Sequence, residues 1–433
     1  SVGLGNSWRF PYLAAKYGGG IFLLVYIILA LTFGYTLIMA ETSLGRMTRK
    51  SPVGAFESFG NSRFISIGGW INAIIPILIV PYYSVIGGWV IKYLIEYFAG
   101  HSKTLAGDAY FTTFISNGWS TEICFIIFTL FTLGIIYAGV RNGIERVSKF
   151  MMPILIVLSL IIAVYSVTRP GAIEGVKYFL VPNFDHFSWM TVVSAMGQMF
   201  YSLSIAMGIL ITFGSYMKKD TSIEKSTENV EIFDTAIAIM AGLMIIPAVF
   251  AFSGGNAETL KSGPALMFIT IPKVFANMGF GTAIGVVFFL LVLFAAVTSS
   301  IALTESAVST FEDELHWSRK KSTVFMGMVM LLLGTLSCLG YGPLANFKIL
   351  GMQFLDFFDF ITNSVMMPIA AIATCLLVSK VVGVDKIEEE IKKDGQAFRR
   401  KKIFCFMIKY LCPLFAAIIL ISSVANAFGI ITM

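Results

Sequence analysis

Eleven long apolar runs decide what this chain can become. Crossing the hydrocarbon of a bilayer takes about 20 mostly apolar residues. Such runs fall at 1–16 (incomplete), 20–45, 65–99, 120–139, 149–168, 191–216, 232–254, 282–311, 322–341, 349–378 and 403–429. At that length only a helix satisfies its own backbone N–H and C=O groups inside lipid. The expected fold is therefore an all-α polytopic membrane protein. Charge agrees, since 13% of the 433 residues are charged, against about 25% in soluble domains. Several runs are longer than 25 residues, so tilt or extension beyond the bilayer is expected. The stretch 257–278, with "GPALMFITIPKVF", is too interrupted to span and is expected to be a helical external loop packed over the bundle.

Orientation follows from the basic residues. With the N-terminal side in the cytoplasm, 21 of the 31 Lys and Arg fall in cytoplasmic loops, 7 in external loops and 3 within spans. Cytoplasmic loops carry the excess of positive charge, so the C-terminus is expected outside the cell and the protein in the plasma (inner) membrane. The net charge of +6 thus reports topology, and no nucleic-acid partner is implied. The run "QAFRRKK" (396–402) reads as a solvated cytoplasmic loop facing anionic lipid. Cys124, Cys338, Cys375, Cys405 and Cys412 lie in or beside apolar segments and read as small buried hydrophobes. Because the first residue is not Met, the natural N-terminus is expected upstream.

Charges inside the spans need a reason. An Arg, Lys or Asp at the bilayer centre costs on the order of 2.5–3.5 kcal/mol, and Arg9, Glu41, Asp234, Glu305, Asp356 and Asp359 lie in or near apolar spans. One alone can snorkel or form a structural ion pair, whereas six together point to a polar pathway. Polar interruptions cluster too. The first span breaks at "SVGLGN", and the sixth at "GQMFYSLSIAMG" (197–208). If spans 1–5 and 6–10 are repeats, the two breaks correspond, which is the sequence sign of a transporter's midplane site. Unwound backbone offers carbonyls to a cation, and half-helix N-termini offer N–H groups to a carboxylate. In the eighth span "AAVTSS" (295–300) adds the hydroxyls of Thr298, Ser299 and Ser300, which suit a hard cation or equally a helix-to-helix hydrogen bond. An enzyme is not expected, because no nucleophile–base pair or metal-ligand spacing occurs.

The motifs "VGLGNSWRFPY", "YGGGIFLLVY", "AETSLGR", "YYSVIGGW", "GQMFYSLS", "GPALMF" and "TSSIAL…FEDEL" resemble the neurotransmitter:sodium symporters along the whole chain. The resemblance implies a five-plus-five inverted-repeat bundle with unwound helices 1 and 6 and alternating access. Repeat one would cover 1–168, repeat two 191–378 and an extra eleventh helix 403–429, with the inner half of helix 1 upstream. It implies two sodium ions as cofactors. One would take the carbonyl of Ser1 and the side chains of Asn6, Ser202 and Asp234. The other would take the carbonyls of Val2 and Ala295 and the hydroxyls of Thr298 and Ser299. A substrate carboxylate would meet the Leu4 and Gly5 backbone and the Tyr83 hydroxyl. Its side chain would lie among Ile79, Tyr201, Ser204, Met207 and Leu303, with Val2, Ser202 and Ser299 bordering the same pocket. Arg9 and Asp359 resemble the outer gate pair, with Asp356 the weaker partner. Asp313 resembles half of an inner gate whose arginine would lie upstream, and Glu41 the carboxylate that steadies the unwound sixth helix.

Three departures shape the expected function. Asp234 stands where much of the family has Asn, so its fixed charge could replace chloride. Gly3 stands where monoamine transporters carry Asp, which favours a substrate with its own carboxylate. The chain stops after the eleventh span and its second external loop (100–119) lacks cysteine, both of which look bacterial. Ala206 and Met207, beside Tyr83, Tyr201 and Phe200, favour a large hydrophobic or aromatic amino acid, with a small or aliphatic neutral one as the alternative. A channel or ligand sensor on the same fold is the competing class. The sequence leaves oligomeric state open.

Overall fold

The structure, a computed structural model, describes residues 9–255 and 265–432. Nine helices among them are long and apolar enough to cross a membrane. They run Gly20–Thr48, Arg63–Phe98, Gly118–Tyr137, Val140–Val167, Ile223–Ser253, Gly281–Leu315, Arg319–Leu339, Phe354–Val382 and Lys401–Ala427. Phe10–Lys16 is the described part of the first span. The sixth span is two helices, Trp189–Ser202 and Ile209–Ser215, with a non-helical joint between them. All expected spans are therefore met by helices. Residues 1–8, which carry the expected break in the first span, lie outside the described residues.

Helix ends differ from the apolar runs in one consistent way. The expected 149–168 span begins at Val140 and the expected 232–254 span at Ile223. Apolarity marks only the part of a helix inside lipid, whereas the helix continues into water wherever a cap stops it. Ser222 supplies such a stop, its Oγ accepting from Lys225 N. The expected 349–378 span starts later, at Phe354, because Leu350 and Gly351 turn left-handed just before it.

The interrupted segment 257–278 does not span. From 265 onward it forms the helical piece Leu266–Ala276, with Leu266, Phe268, Ile271 and Phe275 buried. Phe268 packs edge-on to Tyr93 at 4.9 Å and stacks on Phe111 at 5.2 Å, while the Tyr93 hydroxyl donates to Phe268 O at 2.9 Å. This outer lid of aromatics sits on the Arg63–Phe98 and Gly281–Leu315 helices, which lie against each other through the core.

The Gly20–Thr48 helix is the spine for the broken sixth segment. Gly45 lies directly under the Ile209–Ser215 half-helix, where an added Cβ would stand 2.0 Å from Ile211 O. Only glycine permits that approach. Higher up, Phe33 meets Phe200 edge-on at 5.5 Å.

Candidate substrate and ion site

The joint at 203–208 is where the chain departs from helix. Ser204 (φ 57°) and Ala206 (φ 62°) are left-handed although neither is glycine. Each such residue costs about 1–3 kcal/mol unless its surroundings over-determine it. They do so here. Both carboxylate oxygens of the buried Glu41 accept from Ala206 N, at 3.1 and 3.3 Å. Gly208 (φ 76°) then turns the chain into the Ile209–Ser215 half-helix. Glu41 thus satisfies an amide that the missing helical turn leaves open.

Asp234 is 0% exposed in the middle of the Ile223–Ser253 helix. Its Oδ1 accepts from the Ser202 hydroxyl and its Oδ2 from the Tyr26 hydroxyl at 2.6 Å. The structure therefore brings together Ser202, at the end of one half-helix, and Asp234, two of the four groups assigned to one cation site. Ser1 and Asn6, the other two, lie outside the described residues, as do Val2, Leu4 and Gly5. A dry carboxylate flanked by hydroxyls is the kind of oxygen-donor set that suits a hard cation.

In the eighth span, Thr298 Oγ1 lies 3.0 Å from Ala295 O and 3.1 Å from Phe294 O, so the hydroxyl and the carbonyl assigned to the second cation adjoin. Ser299 is half-buried beside them. Ser300 takes the second of the two roles left open for this hydroxyl run. Its hydroxyl meets Thr132 Oγ1 on the Gly118–Tyr137 helix at 3.1 Å. Successive helical residues turn by about 100°, so three adjacent hydroxyls cannot share a face. Ser300 is a helix-to-helix contact.

Ile79 and Tyr83 are one turn apart on the Arg63–Phe98 helix, as Ser299 and Leu303 are on the Gly281–Leu315 helix. Ile79, Tyr83, Met207 and Leu303 are all buried in one continuous cluster. Tyr201 and Ser204 are half-buried at the break itself. The pocket residues thus gather from the break and from two helices that face it.

Next to them lie the residues expected to form the outer gate. The Arg9 guanidinium sits over the Tyr201 ring at 5.1 Å and close enough to Asp359 for their charges to interact. Asp359 accepts from Asn363 and, at 3.2 Å, from the Tyr82 hydroxyl, which also meets Thr362 Oγ1 at 3.4 Å. Asp356 is turned elsewhere, to the Tyr341 hydroxyl at 3.2 Å. Asp313 Oδ2 accepts from Ser51 N at 2.6 Å. Glu305 is held by partners of its own. It is bound by Arg319 (Nη2–Oε2 2.5 Å) and by the Tyr216 hydroxyl (2.6 Å), a structural ion pair.

Two residues of this site escaped the sequence reading, Tyr26 and Tyr82. The available signal was general: a Tyr inside an apolar span needs a partner for its hydroxyl when buried. "YYSVIGGW" holds two, and the helical turn separates them, Tyr82 meeting Asp359 and Thr362.

A helical bundle with a broken helix, and a buried carboxylate and hydroxyls at the break, is the architecture expected of a secondary transporter. A model of the Sodium:neurotransmitter symporter family matches residues 1–127 and 111–430, and the chain belongs to that family. Uncharacterised sodium-dependent transporters of Bacillus subtilis and Haemophilus influenzae are 32% and 30% identical to it. The alignments cover 100% and 98% of this chain and 95% and 94% of theirs. A bovine sodium-dependent dopamine transporter is 24% identical over 98% of this chain and 67% of its own. Among solved structures, MhsT in complex with L-phenylalanine superimposes with a TM-score of 0.86 at 33% identity, covering 98% of this chain and 96% of that one. The protein is thus a multi-pass, sodium-coupled transporter and not an enzyme.

Proposed function

We propose that this protein carries a large hydrophobic or aromatic neutral L-amino acid into the cell with sodium, by alternating access and without chloride. The observation that carries the reading is Asp234, a fully buried carboxylate hydrogen-bonded to Ser202 at the broken helix. A fixed negative charge there neutralises a bound cation without a mobile anion. The substrate class is supported by the apolar and aromatic pocket of Ile79, Tyr83, Tyr201, Met207 and Leu303, and by the likeness to MhsT, solved with L-phenylalanine.

Each element then has a task. Ser202 and Asp234, with Ser1 and Asn6, hold one sodium. Thr298, Ser299 and the Ala295 carbonyl, with that of Val2, hold a second. Leu4, Gly5 and Tyr83 receive the substrate carboxylate. Arg9 and Asp359 close the outer side, and Asp313 serves the inner gate. Two sodium ions crossing about 100 mV supply roughly 4.6 kcal/mol, enough to concentrate substrate about a thousandfold.

A binding screen of the twenty amino acids with and without sodium tests this. Sodium-dependent binding of phenylalanine, tyrosine, tryptophan or leucine is expected. Binding confined to small amino acids would replace the substrate class, and sodium-dependent binding of none would overturn it.

A further inference from the structure

The cytoplasmic end of the Gly20–Thr48 helix carries two arginines that the transport site does not use. Arg49 Nη1 donates to Ser215 O at 3.1 Å and to Met217 O. Arg46 Nη1 donates to Thr221 O at 2.5 Å and Lys218 O at 3.4 Å. Arg49 caps the carbonyl end of the Ile209–Ser215 half-helix, and Arg46 fixes the turn at 218–221 that follows it. The other edge of the Arg46 guanidinium points away from that turn. Its Nε donates to Glu390 Oε1 at 2.8 Å and its Nη2 to Glu390 O at 2.6 Å. The two side chains are 0% and 2% exposed, so the pair is dry.

Glu390 lies on the short helix Val384–Ile391, in the strap that joins Phe354–Val382 to Lys401–Ala427. That strap grips the same region three more times. Gln396 Nε2 donates to Asp220 O at 2.8 Å, Arg399 N to Glu224 Oε2 at 2.7 Å and Arg400 Nη2 to Glu231 Oε2 at 2.9 Å. A guanidinium has five donors in a rigid fork, so one Arg can bind two bodies at once. A lysine's three donors leave from one point and lack that spread-out planar fork.

We propose that Glu390 is a positioning residue for transport: through Arg46 it holds the inner half of the broken helix in register with the 384–402 strap. Movements of that half-helix then pass to the two spans the strap connects. The inference rests on the transport reading above, but Glu390 touches neither substrate nor sodium.

Removing the carboxylate outright would strand a buried cation, which is strongly destabilising, so Glu390→Gln is the informative variant. It keeps the shape and the backbone acceptor. Hydrogen exchange on the full chain in nanodiscs is expected to show amides at 209–224 exchanging faster in Glu390→Gln, with 118–137 unchanged as the internal control. Couplings through contact networks correspond to about 2- to 30-fold, and the maximal uptake rate should fall within that range while substrate and sodium affinities stay put. Glu390→Asp should recover part of the rate, and Arg46→Lys should resemble Glu390→Gln. Unchanged exchange at 209–224 would overturn the proposal, as would binding and uptake falling together in all three variants. Failure of the amino-acid reading would show as absent binding in the unaltered protein, and the exchange measurement, needing no substrate, would still decide on Glu390.

Discussion

Glu41 and Asp234 are both buried carboxylates, yet their partners give them opposite tasks. Glu41 faces one backbone amide, Ala206 N, and the left-handed joint depends on it. Losing the acceptor of a buried N–H costs about 1–3 kcal/mol. Glu41→Ala should therefore lower thermal stability and remove uptake, while Glu41→Gln, which keeps a carbonyl oxygen, should keep part of both. Thermal melts and uptake on the same preparations check this. Asp234 instead gathers hydroxyls around a charge, and Asp234→Ala should abolish sodium-dependent binding. Asp234→Asn should make binding require chloride, because a mobile anion must then supply the charge. Near-normal sodium affinity in Asp234→Ala would show the assignment to be wrong. The hydroxyl run gives a third contrast. Replacing both Ser300 by Ala and Thr132 by Val removes a mutually satisfied pair, which is close to neutral. Thr298→Val should raise the sodium needed for half-maximal uptake.

At the scale of elements, the spans were legible because their apolar runs are long and bounded by charge. Their ends were not, because Val140–Arg146 and Ile223–Glu231 are helical outside lipid, where composition is mixed. The break in the sixth segment could be read from "SLSIAMG", since Gly208 and a polar interruption coincide there. What stabilises it could not, because Glu41 and Ala206 are 165 residues apart. The strap is the clearest miss. "QAFRRKK" reads as solvated charge, yet Arg400 lies over the Tyr35 ring at 3.7 Å and donates to Leu31 O at 3.0 Å and to Glu231. Lys401 pairs with Glu388 at 2.5 Å. Glu390 adds a pH prediction. Burial pushes its carboxyl up, but hydrogen bonds from Lys393 and Arg46 outweigh that and hold it below its ordinary 4.5. A lowered folded value means the pair's contribution is present above the ordinary carboxylate range and lost as pH falls through that lowered value. After correction for intrinsic rates, amide protection at 209–224 should stay level from pH 8 down to about pH 5.

For the whole molecule, membrane class, span number and family were open to sequence because they are repeated over hundreds of residues. The site was open only where a motif names a residue type. Which hydroxyl faces which neighbour is set by helix rotation, and this is why the role of Ser300 stayed open in the sequence and Tyr26 was overlooked. Substrate identity depends on pocket shape summed over several elements, and no single motif encodes it. If the proposed function holds, an inward sodium gradient drives one amino acid uphill. The direct measurement is accumulation of labelled phenylalanine, tyrosine, tryptophan or leucine in proteoliposomes, with sodium outside and gluconate replacing chloride. The account predicts sodium-dependent accumulation above the external concentration, undiminished by the loss of chloride. Equilibration without accumulation would contradict coupled transport, and a several-fold fall in gluconate would contradict the role given to Asp234.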